Sequence, residues 1–130
     1  MSKWKIRDAV FEFDWNDYDD TIRFHEAEEA LSKKNLEKNL TKSGITQWDQ
    51  TKLYCEAWNQ YFDTVFGVGA SDKLFNGKRN RVLTTTTICA YTKFMKEARE
   101  EANKADVEAS KQLDQAYTDL SEFLKDKMVN

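Results

Sequence analysis

The sequence predicts a mainly α-helical single domain: a small body of three to four helices, a short N-terminal β-hairpin or strand, and a long C-terminal helix. Three observations lead there. The 130 residues contain no proline and only four glycines, so helices can run long without a breaker. Through the middle of the chain apolar residues recur at steps of three and four, which places them on one side of a helix. Only residues 1–17 alternate at period two, the pattern of a strand with one buried face.

In that first segment Phe11, Phe13 and Trp15 alternate with Glu12, Asp14 and Asn16, and Arg7-Asp8 can turn between Trp4-Lys5-Ile6 and Val10-Phe11-Glu12-Phe13. A lone hairpin is marginal in water, so it must lean on a helix. The first helix is expected to start at Asp19 or Asp20, whose carboxylates suit the positive helix end. Ile22, Phe24, Ala27, Ala30 and Leu31 give it an apolar side, and Ser43-Gly44 is its expected end. The second helix is expected to begin after Thr46 as N-cap. Trp48, Thr51, Cys55, Trp58, Phe62, Val65 and Phe66 then form one stripe. Burying one such ring is worth about 2–3 kcal/mol, so this helix should anchor the core, with Gly67 stopping it. The connection from Gly67 to Asn80 should hold a short helical turn capped by Ser71 and ended by Gly77. Leu74 and Phe75, its large apolar groups, must dock on the body or face a partner.

From about Val82 the last helical region begins. Ile88, Met95, Ala102, Ala109, Ala116 and Phe123 are spaced by seven, and Leu113 and Leu120 add a second seam position. Thr85, Arg99 and Asp106 interrupt the seam. This pattern predicts one long helix or two collinear ones with the far end projecting, packed either within the chain or against a neighbouring copy. The whole reads as one domain over residues 1–130: a β-like element at 1–17, a helical body at 18–98 and the C-terminal helix at 99–130.

Composition narrows the function. Charged residues make up 33% and the net charge is −3, which speaks against a general nucleic-acid binder. Cys55 and Cys89 lack C-x-x-C spacing and are expected to be buried, reduced thiols. The opening MSKWKIRDAVF lacks the apolar core of a secretion signal, and the uncharged run from Val82 to Thr92 is too short for a membrane span. A cytoplasmic protein is the expectation. Charge segregates locally: six acids and no base lie from Asp8 to Asp20, and four bases and no acid from Lys73 to Arg81. The two segments could meet within one chain or between copies.

The glycine-rich stretch YFDTVFGVGASDKLFNGKR, residues 61–79, is the place to look for chemistry. As a phosphate loop it fails: Asp72 stands where the first Walker glycine belongs and Arg79 where the hydroxyl belongs. As a dinucleotide fingerprint it fails at Asp72, where a third glycine is needed. The acidic run from Asp14 to Asp20 lacks the glycine and bidentate acid of a calcium loop, since Asp19 and His25 stand there. His25, the one histidine, has no nucleophile beside it in sequence. No enzyme activity, metal or cofactor is therefore expected.

The same stretch resembles the signature of tail assembly chaperones from long-tailed phages and prophages of Gram-positive bacteria. Phe62, Asp63, Phe66, Gly67, Gly69, Lys73, Leu74 and Phe75 stand in matching places, and the period-two N-terminal segment is similar too. Val68 and Ala70 depart from the acidic residue and the Thr or Ser common at those positions. The resemblance covers roughly residues 5–98. It implies a non-catalytic protein that multimerises along the tape measure protein, recruits tail tube subunits and stays out of the finished particle. The partners it implies are thus the tape measure protein, the tail tube protein and further copies of the same chain, with no membrane or nucleic acid. Phe66, Gly67, Gly69, Lys73, Leu74 and Phe75 are the contact candidates at the joint. Ala109, Leu113, Ala116, Leu120 and Phe123 are those on the last helix. A virion part such as a helical head–tail adaptor or connector component is the competing expectation.

Overall fold

The computed structural model describes residues 1–129. Strands β1 (Ser2–Ile6) and β2 (Ala9–Phe13) form an antiparallel hairpin, followed by helices α1 (Tyr18–Lys33), α2 (Leu36–Leu40), α3 (Gln47–Phe66), α4 (Ala70–Phe75) and α5 (Arg81–Val129). The expected class, a mainly helical fold with an N-terminal hairpin and a long last helix, is the class observed.

The hairpin turns at Arg7-Asp8, and Arg7 takes a positive φ of 51° there. Its register pairs Trp4 with Phe11 and Ser2 with Phe13 on one face, which is buried. Lys3 lies opposite Glu12 on the other face at 3.8 Å. The buried face leans on α3 and α5. Trp4 is enclosed there: the rings of Phe11, Phe62, Phe66, Tyr91 and Phe94 all lie within 6.3 Å of it, centroid to centroid. Arg7 closes the hairpin onto the body by donating to the Leu74 carbonyl and, at 3.3 Å, to the Thr87 hydroxyl.

Helix α1 starts one residue before the expected Asp19. Asp17 is its cap, accepting from the Asp20 amide at 3.0 Å. Asp20 itself does not cap the helix. Its buried carboxylate accepts from the Asp14 amide at 2.9 Å and from Arg23, so it ties the strand end to the helix. The helix stops at Lys33, well short of Ser43-Gly44, because Asn35 turns left-handed (φ 49°) and starts the separate α2. The mixed polar run from Ser32 to Leu40 has too thin an apolar side to hold one straight helix against α3.

Helix α3 begins after Thr46, whose hydroxyl accepts from the Asp49 amide at 3.2 Å. Cys55, Ala57, Tyr61, Phe62 and Val65 are buried. Trp48 is not: it is 74% exposed, because no other element reaches over the first turn of α3 to cover it. Helix α5 starts with Asn80 accepting from the Leu83 amide at 2.9 Å. It is one continuous helix of 49 residues. Its body-facing side is Thr84, Thr87, Tyr91, Phe94, Met95, Ala98 and Ala102. Ile88, on the strict seven-residue seam, is only half-buried, since a straight helix repeats at 3.6 residues and drifts away from sevens. Among the described residues no helix is long and apolar enough to cross a membrane.

The two tryptophans give a direct check by urea unfolding. Trp4→Ala should cost about 3–5 kcal/mol, the range for emptying a packed aromatic site. Trp48→Ala should change stability by less than about 0.5 kcal/mol, as exposed positions do.

Candidate interaction surface

The glycine-rich stretch is a joint between α3 and α4. Gly67 (φ +103°) ends α3, and Gly69 (φ +94°) precedes α4. A Cβ at either position would meet nothing within 4 Å, so backbone conformation, not crowding, calls for glycine. The amides of Gly67, Ala70 and Lys73 are bonded to carbonyls of Asp63, Gly67 and Gly69. At the start of α4 the Asp63 carboxylate accepts from the Ser71 amide at 2.8 Å and the Ser71 hydroxyl at 2.9 Å. Ser71 is thus not the expected cap. It lies inside α4, and Asp63 fills the place an anion would take. This is a latch between two helices, not a phosphate cradle.

The latch turns Leu74 and Phe75 inward. Both are 2% exposed, and Phe75 lies 6.0 Å from the ring of Phe62. Their role as partner contacts is corrected: α4 is too short to expose them and still pack, so they finish the monomer's core. Phe66 is half-buried and packs against Phe11 at 4.8 Å. Lys73 stays exposed, on the rim of a groove of about 380 Å³ that it shares with Val10, Phe66, Gly67 and the fully exposed Val68. Gly69 lies beside that groove without lining it.

A second polar lock crosses the core. Tyr61 donates to Glu28 Oε1 at 2.7 Å and meets the Tyr91 hydroxyl at 2.8 Å, joining α1, α3 and α5. Burial pushes the Tyr61 phenol far above its ordinary range, with the neighbouring Tyr91 and the Glu28 contact adding to it. Burial raises Tyr91 as well, and the Glu28 charge reinforces the shift.

The exposed apolar contact candidates are on α5. Trp15 donates its indole N–H to the Met95 carbonyl at 3.0 Å, and Asn16 donates to the Ala102 carbonyl at 3.0 Å. Arg99 stacks over Trp15 at 5.0 Å. These bonds pin α5 at the edge of the body, and among the described residues Ala102 is its last buried one. From Asn103 to Lys127 every residue is exposed, a projection of roughly 37 Å at 1.5 Å per residue. Leu113, Tyr117, Leu120, Phe123 and Leu124 are each 51–60% exposed, and Ala109 and Ala116 stand among them. Of the joint candidates only Lys73 is exposed, whereas the predicted candidates on this helix all lie at the surface. Tyr117 and Leu124, on the same side, fell outside the strict seam that sequence spacing picks out.

Other features resolve locally. Of the acids from Asp8 to Asp20, Asp17 caps α1, Asp14 and Asp20 accept from backbone amides where β2 passes into α1, and Glu12 faces Lys3; among the described ion pairs none joins them to the basic segment. Arg79 pairs with Glu56 at 2.9 Å instead. No three metal-ligating side chains converge among the described residues. Cys55 is buried and free as expected, but Cys89 is exposed, because it points away from the body-facing side of α5. His25 is exposed on α1 at a groove lined also by Trp15, Phe24, Arg99 and Asn103.

Asp63→Ala should destabilise the protein by about 1.5–3 kcal/mol, the worth of hydrogen bonds to a charged group, and Asp63→Asn by less. Urea denaturation measures both. The tyrosine lock predicts alkaline sensitivity. Both phenols titrate higher in the folded protein than in the unfolded chain, where the pKa is about 10. Below that pH both states keep the protons. Above it only the unfolded chain loses them, so stability falls as pH rises. The urea midpoint should drop above about pH 10, and the Tyr61→Phe, Tyr91→Phe double variant should flatten that drop.

No curated protein and no solved structure matches the chain. One family description does match, over residues 7–127: Family of unknown function (DUF6673). Its extent runs from the hairpin turn through the whole exposed stripe of α5, so the projection lies within it together with the body. The chain belongs to this family of unknown function.

Proposed function

We propose that the protein is a non-catalytic assembly chaperone of phage tails, which holds the tape measure protein in the host cytoplasm and recruits tail tube subunits to it. The observation that carries this reading is the bare apolar stripe of α5 beyond Ala102. A folded body with its own closed core gains nothing from that stripe in water, where each half-exposed side chain forgoes part of its burial energy. A surface of this kind suits an amphipathic helix of another chain, recognised through anchors at helical spacing. The resemblance of residues 61–77 to the tail chaperone signature supplies the identity of that chain. Burial of Leu74 and Phe75 moves the working surface from the joint to α5. The joint then serves as the latch that keeps the body rigid.

Co-expression tests this. A tape measure fragment that is insoluble alone should become soluble with the intact protein. The Leu113→Asp, Leu120→Asp double variant should lower the soluble yield by about tenfold or more, as loss of central contacts does, with circular dichroism unchanged. Undiminished rescue by that variant removes α5 from the function, and recovery of the protein in purified virions removes the chaperone role.

A further inference from the structure

The exposed side of α5 has a charge arrangement that selects its occupant. On the helical wheel Leu113, Ala116, Tyr117, Leu120, Phe123 and Leu124 share one side. Between Ala102 and Lys127 only two charged residues interrupt that side: Asp106 near its start and Lys127 at its end. The Lys127 ammonium lies over the ring of Phe123 at 5.6 Å, so it belongs to the same face. Asp106 makes no ion pair among the described residues.

We propose that a second copy of this chain covers the stripe, with the two projections antiparallel about a twofold axis between Ala116 and Tyr117. In that register Leu113 lies level with Leu120 of the second copy, Ala109 with its Leu124, and Asp106 with its Lys127. Each contact occurs twice, as an isologous interface requires. Small residues sit level with large ones, and both polar interruptions meet an opposite charge. In-register parallel packing instead sets Asp106 against Asp106 and Lys127 against Lys127, and crowds the two bodies side by side. The antiparallel arrangement sends the bodies to opposite ends. Asp106 and Lys127 are about 32 Å apart along the axis, so the paired length matches the exposed stripe. The inference rests on the reading of α5 as a contact surface but not on the identity of the tape measure client, whose helix would displace the second copy.

Sedimentation equilibrium of the full chain should give twice the chain mass. Asp106→Lys or Lys127→Asp alone should weaken association by about tenfold, and the two together should restore it. Orientation is read by a short bis-maleimide cross-linker in a Cys89→Ser background. Asp106→Cys should not cross-link to itself but should link to Lys127→Cys in a mixture, and Tyr117→Cys should link to itself. A single-chain mass at every concentration, self-linking through Asp106→Cys, or a double charge swap no better than the single changes overturns the pairing. A monomer that still rescues the tape measure fragment would sink this inference and leave the functional reading intact. A dimer that rescues nothing would do the reverse.

Discussion

Trp4 lies between the hairpin and the two longest helices, and its ring meets those of Phe11, Phe62, Phe66, Tyr91 and Phe94. Three parts of the chain that are remote in sequence therefore share one desolvated centre. A two-stranded hairpin cannot persist by itself, and this indole is what binds it to the helices. The same contact sets α5 at a definite place on the body. Arg7, at the hairpin turn, then reaches both the end of α4 and Thr87 of α5, so the hairpin acts as a strap across the helices.

Everything about the candidate surface follows from how far that packing extends. The body covers α5 up to Ala102, where Asn16 takes hold of the backbone. Beyond that point none of the described elements covers the helix, and Asn103 to Lys127 are exposed. An isolated helix must first form a costly nucleus, but this one continues from a segment already ordered by the core and so is spared the nucleation cost. It is thereby presented as a rigid rod with an apolar side, and a rigid surface loses little conformational entropy when a partner docks. The joint contributes in another way. Asp63 and the two glycines fold α4 back so that Leu74 and Phe75 complete the core, and the groove that remains is rimmed by Lys73, Val68 and Phe66.

Much of this was legible in the residues. The hairpin, its turn at Arg7-Asp8, the Thr46 cap, the aromatic anchor of α3, the short helix after Gly67 and the long final helix all carry local signals. Those signals are a two-residue alternation, a capping hydroxyl, a three-and-four spacing or a glycine stop. The misreadings share a cause. Trp48 continues the apolar spacing of α3 yet finds nothing above it. Leu74 and Phe75 look free in a glycine-rich connection yet swing inward. Cys89 has the composition of a core residue and faces water. Thr84 and Thr87, for which the spacing made no prediction, are buried at 1% and 0%; Thr84 donates to Cys55 Sγ, and Thr87 donates to the Leu83 carbonyl and accepts from Arg7. In each case the side chain's fate depends on which distant element stands opposite, and spacing along one helix does not encode that.

By itself the sequence determined which segments are helical or extended, where several of them stop, and that the last helix carries a long apolar repeat, since these depend on propensity, capping and periodicity within a few residues. Only the tertiary structure decided that Trp4 is the shared centre, that the joint is a latch with its apolar groups turned inward, and that the repeat is covered to Ala102 and bare beyond it. Burial is a relation between segments: it is set by the finite reach of the hairpin and the short α1–α3 layer, and the length of α5 outruns both.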